Sequence, residues 1–202
     1  MLRPRGTRGW MTRWVVGGLG VAAVGLLLAC GDGGTEPAIG GSFSATVAGD
    51  LQRTLSGTAV FGVETIGENQ GFVIAMQRGN SAALDVDLIL LGRFNTTRPV
   101  VGDYNVISGA CQDCSANDFD GGYVYQRPGG ASGFFVSESG SLTVTKSVAD
   151  TVVGTCDFIA RSATNPDIAI TITGSFTAVP GTIPDVPWTR NTVPEPWDPA
   201  GR

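Results

Sequence analysis

Cys111 and Cys114 are the residues whose type and spacing most invite chemistry, two thiols three positions apart in Cys111-Gln112-Asp113-Cys114. Such a pair can supply half of a tetrahedral zinc site, run thiol–disulfide exchange or close a small disulfide. Zinc needs a second half. The 202 residues hold no histidine, no second Cys pair, and only Cys30 and Cys156 besides. Redox catalysis needs a strand before the motif and a helix after it to lower the thiol pKa. Gly109-Ala110 before it and Ser115 to Gly122 after it read as loop instead. In an exported chain the expectation is a local Cys111–Cys114 disulfide, with a bridge from either cysteine to Cys156 as the alternative. Cys156 lies on the apolar side of an alternating stretch, where a buried free thiol is the default.

The remaining candidates are weaker. Without histidine there is no Ser-His-Asp triad and no Cys-His pair. Asn117-Asp118-Phe119-Asp120-Gly121-Gly122 is oxygen-rich, but calcium-loop spacing puts Ala116 at the first ligand position and Arg127 where the bidentate Glu belongs. A solvated turn is expected there. Asp85 and Asp87 share one strand face and could form a carboxylate pair across a cleft. Nothing in the sequence places a cleft beside them, so they read as acids on a wet face. No phosphate loop is found. No catalytic residue, metal site or cofactor is expected, and 13 basic against 18 acidic residues argue against nucleic-acid binding.

The elements that must carry these residues are strands. From 41 to 179 apolar residues alternate with polar ones, and no long helix is credible. Phe43, Ala45 and Val47 form one apolar row, and Leu55, Gly57, Ala59 and Phe61 another. Phe72, Ile74 and Met76 follow, then Leu84, Val86, Leu88 and Leu90; shorter rows are Tyr104 with Val106, Tyr123 with Tyr125, and Phe134 with Val136. Three further strands are expected at 141–145, 151–161 and 168–178, joined by turns at Val148-Ala149-Asp150 and Thr164-Asn165-Pro166-Asp167. Connections that short require antiparallel neighbours. Together these predict an all-β, antiparallel sandwich or closed barrel of about eight or nine strands, ending in a three-strand meander. A membrane-spanning barrel does not fit, because the outward residues are Thr, Ser, Asp and Arg.

The N-terminus has another character. Arg3, Arg5, Arg8 and Arg13 precede an apolar run from Val15 to Ala29, too short for a comfortable membrane span. The run ends in Leu27-Leu28-Ala29-Cys30, which resembles the lipobox of bacterial lipoproteins. The resemblance covers residues 1–30. It implies a signal peptide over 1–29, cleavage between Ala29 and Cys30, diacylglycerol on the Cys30 thiol, and an acyl chain such as palmitate on its new amine. Gly31, and not Asp, follows the cysteine, which within that resemblance favours the outer membrane over the inner. Residues 30–40 then form a flexible tether. Removing 1–29 takes four of the 13 basic residues and none of the acids, leaving a net charge of −9. So acidic a surface is expected to stand off anionic lipid.

Ser139-Gly140-Ser141-Leu142-Thr143-Val144-Thr145, Gly154-Thr155-Cys156-Asp157-Phe158 and Ile170-Thr171-Ile172-Thr173-Gly174-Ser175-Phe176 resemble small β-rich bacterial lipoproteins of unknown function. That likeness brings no catalytic residues with it. From 180 to 202 six prolines surround Trp188 and Trp197, so extended chain is expected, either loose or docked through a tryptophan. The functional expectation is a lipid-anchored envelope protein whose β domain binds or scaffolds without catalysis. The alternative is a lipocalin-like carrier of a small apolar ligand.

Overall fold

The computed structural model describes residues 40–66, 69–80, 83–108, 115 and 118–184. Within them lie nine strands: β1 (Ser42–Gly49), β2 (Arg53–Ile66), β3 (Asn69–Asn80), β4 (Asp85–Arg93), β5 (Gly102–Ile107), β6 (Phe119–Gln126), β7 (Ser132–Val148), β8 (Thr151–Ser162) and β9 (Ala169–Pro180). They close into a barrel in the order β1-β2-β3-β4-β6-β5-β7-β8-β9, and β9 returns to β1. The all-β expectation and the final meander both hold.

Two departures from pure antiparallel pairing have simple causes. β1 is short, so beyond its first residue β2 and β9 meet directly as parallel neighbours at Val60–Val179 and Phe61–Pro180. β5 and β6 share one place in the ring. β5 covers β7 from Ser139 to Val144, β6 covers it from Ser132 to Val136, and the two overlap in parallel only at Val106–Phe119 and Ile107–Asp120. β7 spans both partners with register breaks between Ser137 and Ser139 and between Val144 and Lys146. Such bulges bend a strand enough for a sheet to curl shut.

The interior is filled. Phe43, Phe61, Phe72, Phe119, Tyr123, Phe135, Phe158 and Phe176 point inward among Leu, Ile, Val and Met from the other strands of the ring. Small residues let these rings fit. A Cβ on Gly154 would stand 2.9 Å from the Phe176 ring, and one on Gly121 would meet Ser137, Val106 and Phe158 at 3.1–3.2 Å. A ring of this size leaves an inside just wide enough for its own side chains.

Three stretches differ from the sequence expectation. In β4 the inward residues are Asp85, Asp87, Ile89 and Leu91, so the row Val86, Leu88, Leu90 faces out. Leu88 and Leu90 are nonetheless buried, in an outer cluster with Val73, Ala75 and Ile183 packed beside Val60. The chain reaches that cluster after β9, where Gly181 N–H donates to Phe61 O. With both faces of β4 covered, hydrophobicity no longer alternates and the register cannot be read from it. In β7 it is Phe135 and Ser137 that face inward, not Phe134 and Val136. The expected turn through Phe119 to Gly122 is the start of β6, with Phe119 fully buried.

Candidate functional site

Asp87 is the centre of the most unusual group of side chains. It sits inside the barrel near the end formed by the β1–β2, β3–β4, β6–β7 and β8–β9 connections, with 0% of its surface exposed. A carboxylate so placed must be compensated, and side chains from β3 and β6 do so. The Tyr123 hydroxyl of β6 donates to Asp87 Oδ1 at 2.5 Å, and Arg127 Nη2, just past β6, donates to the same oxygen at 2.6 Å. Arg78 Nη1 of β3 stands 3.3 Å from Asp87 Oδ2 and 3.5 Å from Asp85 Oδ1. Arg127 Nη1 also donates to the carbonyls of Val86 and Gln126, at 2.9 Å each.

A third guanidinium, Arg53 of β2, lies 5.6 Å from the centre of the Tyr125 ring, and Arg127 lies 5.4 Å from the same centre. Arg53 makes no ion pair among the described residues. The layer thus holds three arginines against two aspartates in an acidic chain.

Electrostatics fix the protonation of Tyr123 and Arg127. Burial, then the hydrogen bond to Asp87 and its charge, push the Tyr123 phenol far above its ordinary value of 10.0. Burial alone would lower Arg127, but the hydrogen bond to Asp87 and the charges of Asp87, Tyr123 and Asp85 outweigh it and raise the pKa. Tyrosine therefore stays neutral and arginine charged. Asp87 Oδ1 accepts from two donors, while the buried Oδ2 has no hydrogen bond among the described residues and faces Arg78 Nη1 across 3.3 Å. The group ties β3, β4 and β6 together at this end of the barrel.

At the opposite end Arg93 is 5% exposed and stacks over Tyr104 and Phe119, with ring centres 5.8 and 5.5 Å away. Desolvation lowers its pKa, opposed by Tyr104. Its Nη2 donates to Thr97 O, which holds the loop between β4 and β5.

The sequence candidates fare unequally. Cys156 is a buried free thiol on the inner face of β8, and burial pushes it up to about 12. Cys30, Ala29, Cys111, Cys114, Trp188 and Trp197 lie outside the described residues. In the calcium-like segment, Asp118 accepts from Ser115 N–H at 2.9 Å and from Asn105 Nδ2 at 3.1 Å, so its carboxylate staples the β5–β6 connection. No group of three potential metal ligands occurs among the described residues. Asp85 and Asp87, read as acids on a wet face, instead point inward to arginines. The clue was present in Arg53, Arg78 and Arg127, each at an end of a predicted strand.

A shallow depression of about 400 Å³ lies on the outer wall, lined by Ser44, Thr46, Thr155, Asp157, Thr173 and Ser175 among others. It offers hydroxyls and one carboxylate, suited to hydrogen bonding, with no imidazole or amine to activate a hydroxyl. Compared with known proteins, the chain matches no family model, no curated protein and no solved structure.

Proposed function

We propose that this chain is a lipid-anchored lipoprotein of the bacterial cell envelope, cleaved before Cys30 and acylated there, whose barrel binds or scaffolds without catalysis. The observation that carries the reading is the sequence Leu27-Leu28-Ala29-Cys30 closing a basic-then-apolar leader, a short tether ahead of a folded domain that begins at Ser42. Two or three acyl chains make a lasting anchor where one does not. Gly31 after the cysteine favours the outer membrane. The packed interior supports a binding or scaffolding role over a carrier, which needs an unfilled apolar cavity on the order of 300 Å³ or more. The pairing of Asp87 with Arg127, Arg78 and the neutral Tyr123 across the barrel end supports a role without catalysis.

Metabolic labelling with palmitate tests the anchor. Wild-type protein should incorporate label and fractionate with outer membranes, while Cys30→Ala should incorporate none. Equal incorporation by the two would overturn the reading.

A further inference from the structure

The loop between β4 and β5 holds its backbone firmly while turning its largest apolar side chains into solvent. Phe94, Val100 and Val101 are 58%, 73% and 61% exposed. The backbone around them is tied at several points. Phe72 N–H donates to Asn95 O at 3.0 Å, Thr97 N–H to Asn95 Oδ1 at 2.8 Å, and the Tyr104 hydroxyl to Val100 O at 2.8 Å. Arg93 donates to Thr97 O, Arg98 Nε to Ser147 Oγ at 3.1 Å, and the Ser147 hydroxyl to Pro99 O. A loose loop could fold its apolar groups back onto the barrel. This one is fixed so that they stay out.

Two more exposed apolar residues, Val63 near the end of β2 and Val148 at the end of β7, lie at the same end. Among the described residues only Leu84 and Ile159 are large, apolar and exposed elsewhere. Scattered surface valines need no explanation, but a cluster on a fixed tip does.

β1 starts toward this end and runs away from it: Ser42 pairs with Thr177 near the end of β9, and Gly49 with Ile170 near its beginning. The chain therefore enters the barrel at Ser42 on the side of the apolar tip. On the anchor reading residues 30–40 act as a tether, and eleven residues of unstructured chain would span roughly 20 Å on average. A lipid attached at Cys30 keeps the tip within reach of the bilayer, at an effective concentration near the millimolar range.

We propose that the β4–β5 tip, led by Phe94, Val100 and Val101, inserts into the interfacial layer of the bilayer that holds the anchor, so that the barrel stands with this end down and the Asp87 end outward. The proposal rests on the anchor reading for its geometry. It also revises the expectation that the acidic domain stands clear of lipid, because these side chains are uncharged.

The test uses Phe94→Trp, with Ile159→Trp on the barrel wall as the control. Each is read against the wild-type tryptophan background by quenching from nitroxide-labelled phosphatidylcholine. One arm reconstitutes the full lipoprotein in phosphatidylcholine vesicles. The other replaces residues 1–30 by a polyhistidine tag and holds the chain on phosphatidylcholine vesicles doped with nickel-chelating lipid, so that attachment no longer depends on acylation. Circular dichroism checks that both variants fold. The expected result is severalfold stronger quenching, with a blue-shifted emission, for Phe94→Trp than for Ile159→Trp in both arms. Equal, weak quenching of the two on vesicle-held protein would overturn the insertion, and would point to a protein partner for the tip. Failure of palmitate labelling alongside quenching in the tagged arm would instead remove the anchor and leave the tip standing.

Discussion

Asp87 holds more of the fold in place than its size suggests. Removing it as Asp87→Ala would strand the Tyr123 hydroxyl and leave Arg127 and Arg78 with Asp85 as their one remaining carboxylate among the described residues. Breaking one partner of a buried ionic group costs about 3–5 kcal/mol, so we expect a loss of that order in denaturant unfolding, with Asp87→Asn also destabilised. Replacing both Tyr123 and Cys156 tests a second effect. Each has a folded pKa raised above its unfolded value, so stability is intact below the ordinary values, 9.0 for the thiol and 10.0 for the phenol. It falls as pH rises toward about 12, because the unfolded chain ionises first. Thermal melts between pH 8 and 11 should show this fall, and it should be shallower in Tyr123→Phe/Cys156→Ala. The same burial makes Cys156 unreactive to alkylation at pH 8 until the protein is unfolded. The Asp87 group was hidden in the sequence for a physical reason. Acids two apart on a strand mark a wet face unless arginines wait across the ring, and which strands face each other is a property of closure.

The strands themselves were legible wherever one face is dry and the other wet. β1, β8 and β9 keep strict alternation, and their inward rows, from Phe43 to Val47, Val152 to Ala160 and Ile170 to Ala178, are those the pattern indicates. β4 was misread because Leu88-Ile89-Leu90-Leu91 is apolar on both sides. Its outer side packs beneath Ile183, a contact the proline-rich composition of that stretch does not announce. The outer cluster should therefore behave as a second core. Leu88→Ala and Leu90→Ala, though on the outer wall, should each cost about 2–5 kcal/mol, as buried leucines do. Thr171→Ala, on the exposed face of β9, should shift stability by no more than about 0.5 kcal/mol. A Leu88→Ala variant as stable as Thr171→Ala would mean that the outer cluster contributes nothing. β6 began earlier than its glycines implied, because Gly121 is small for the sake of Ser137, Val106 and Phe158 rather than for a turn.

Between residues 40 and 184 the described chain forms a polarised barrel. One end is closed by arginines, aspartates and tyrosines, and the other carries an apolar loop close to the start of β1. Its interior is spent on its own side chains, which leaves the outer wall and the two ends for contact with anything else. Far-ultraviolet circular dichroism of the folded domain should be that of β structure with negligible helix. The envelope role depends on the lipid proposed for Cys30, and mass spectrometry of the N-terminal peptide of the protein purified from membranes reads that lipid without an intermediary. We expect that peptide to begin at Cys30 and to carry the mass of diacylglycerol with an additional acyl chain. A peptide that begins elsewhere, or a Cys30 of unmodified mass, would contradict the account.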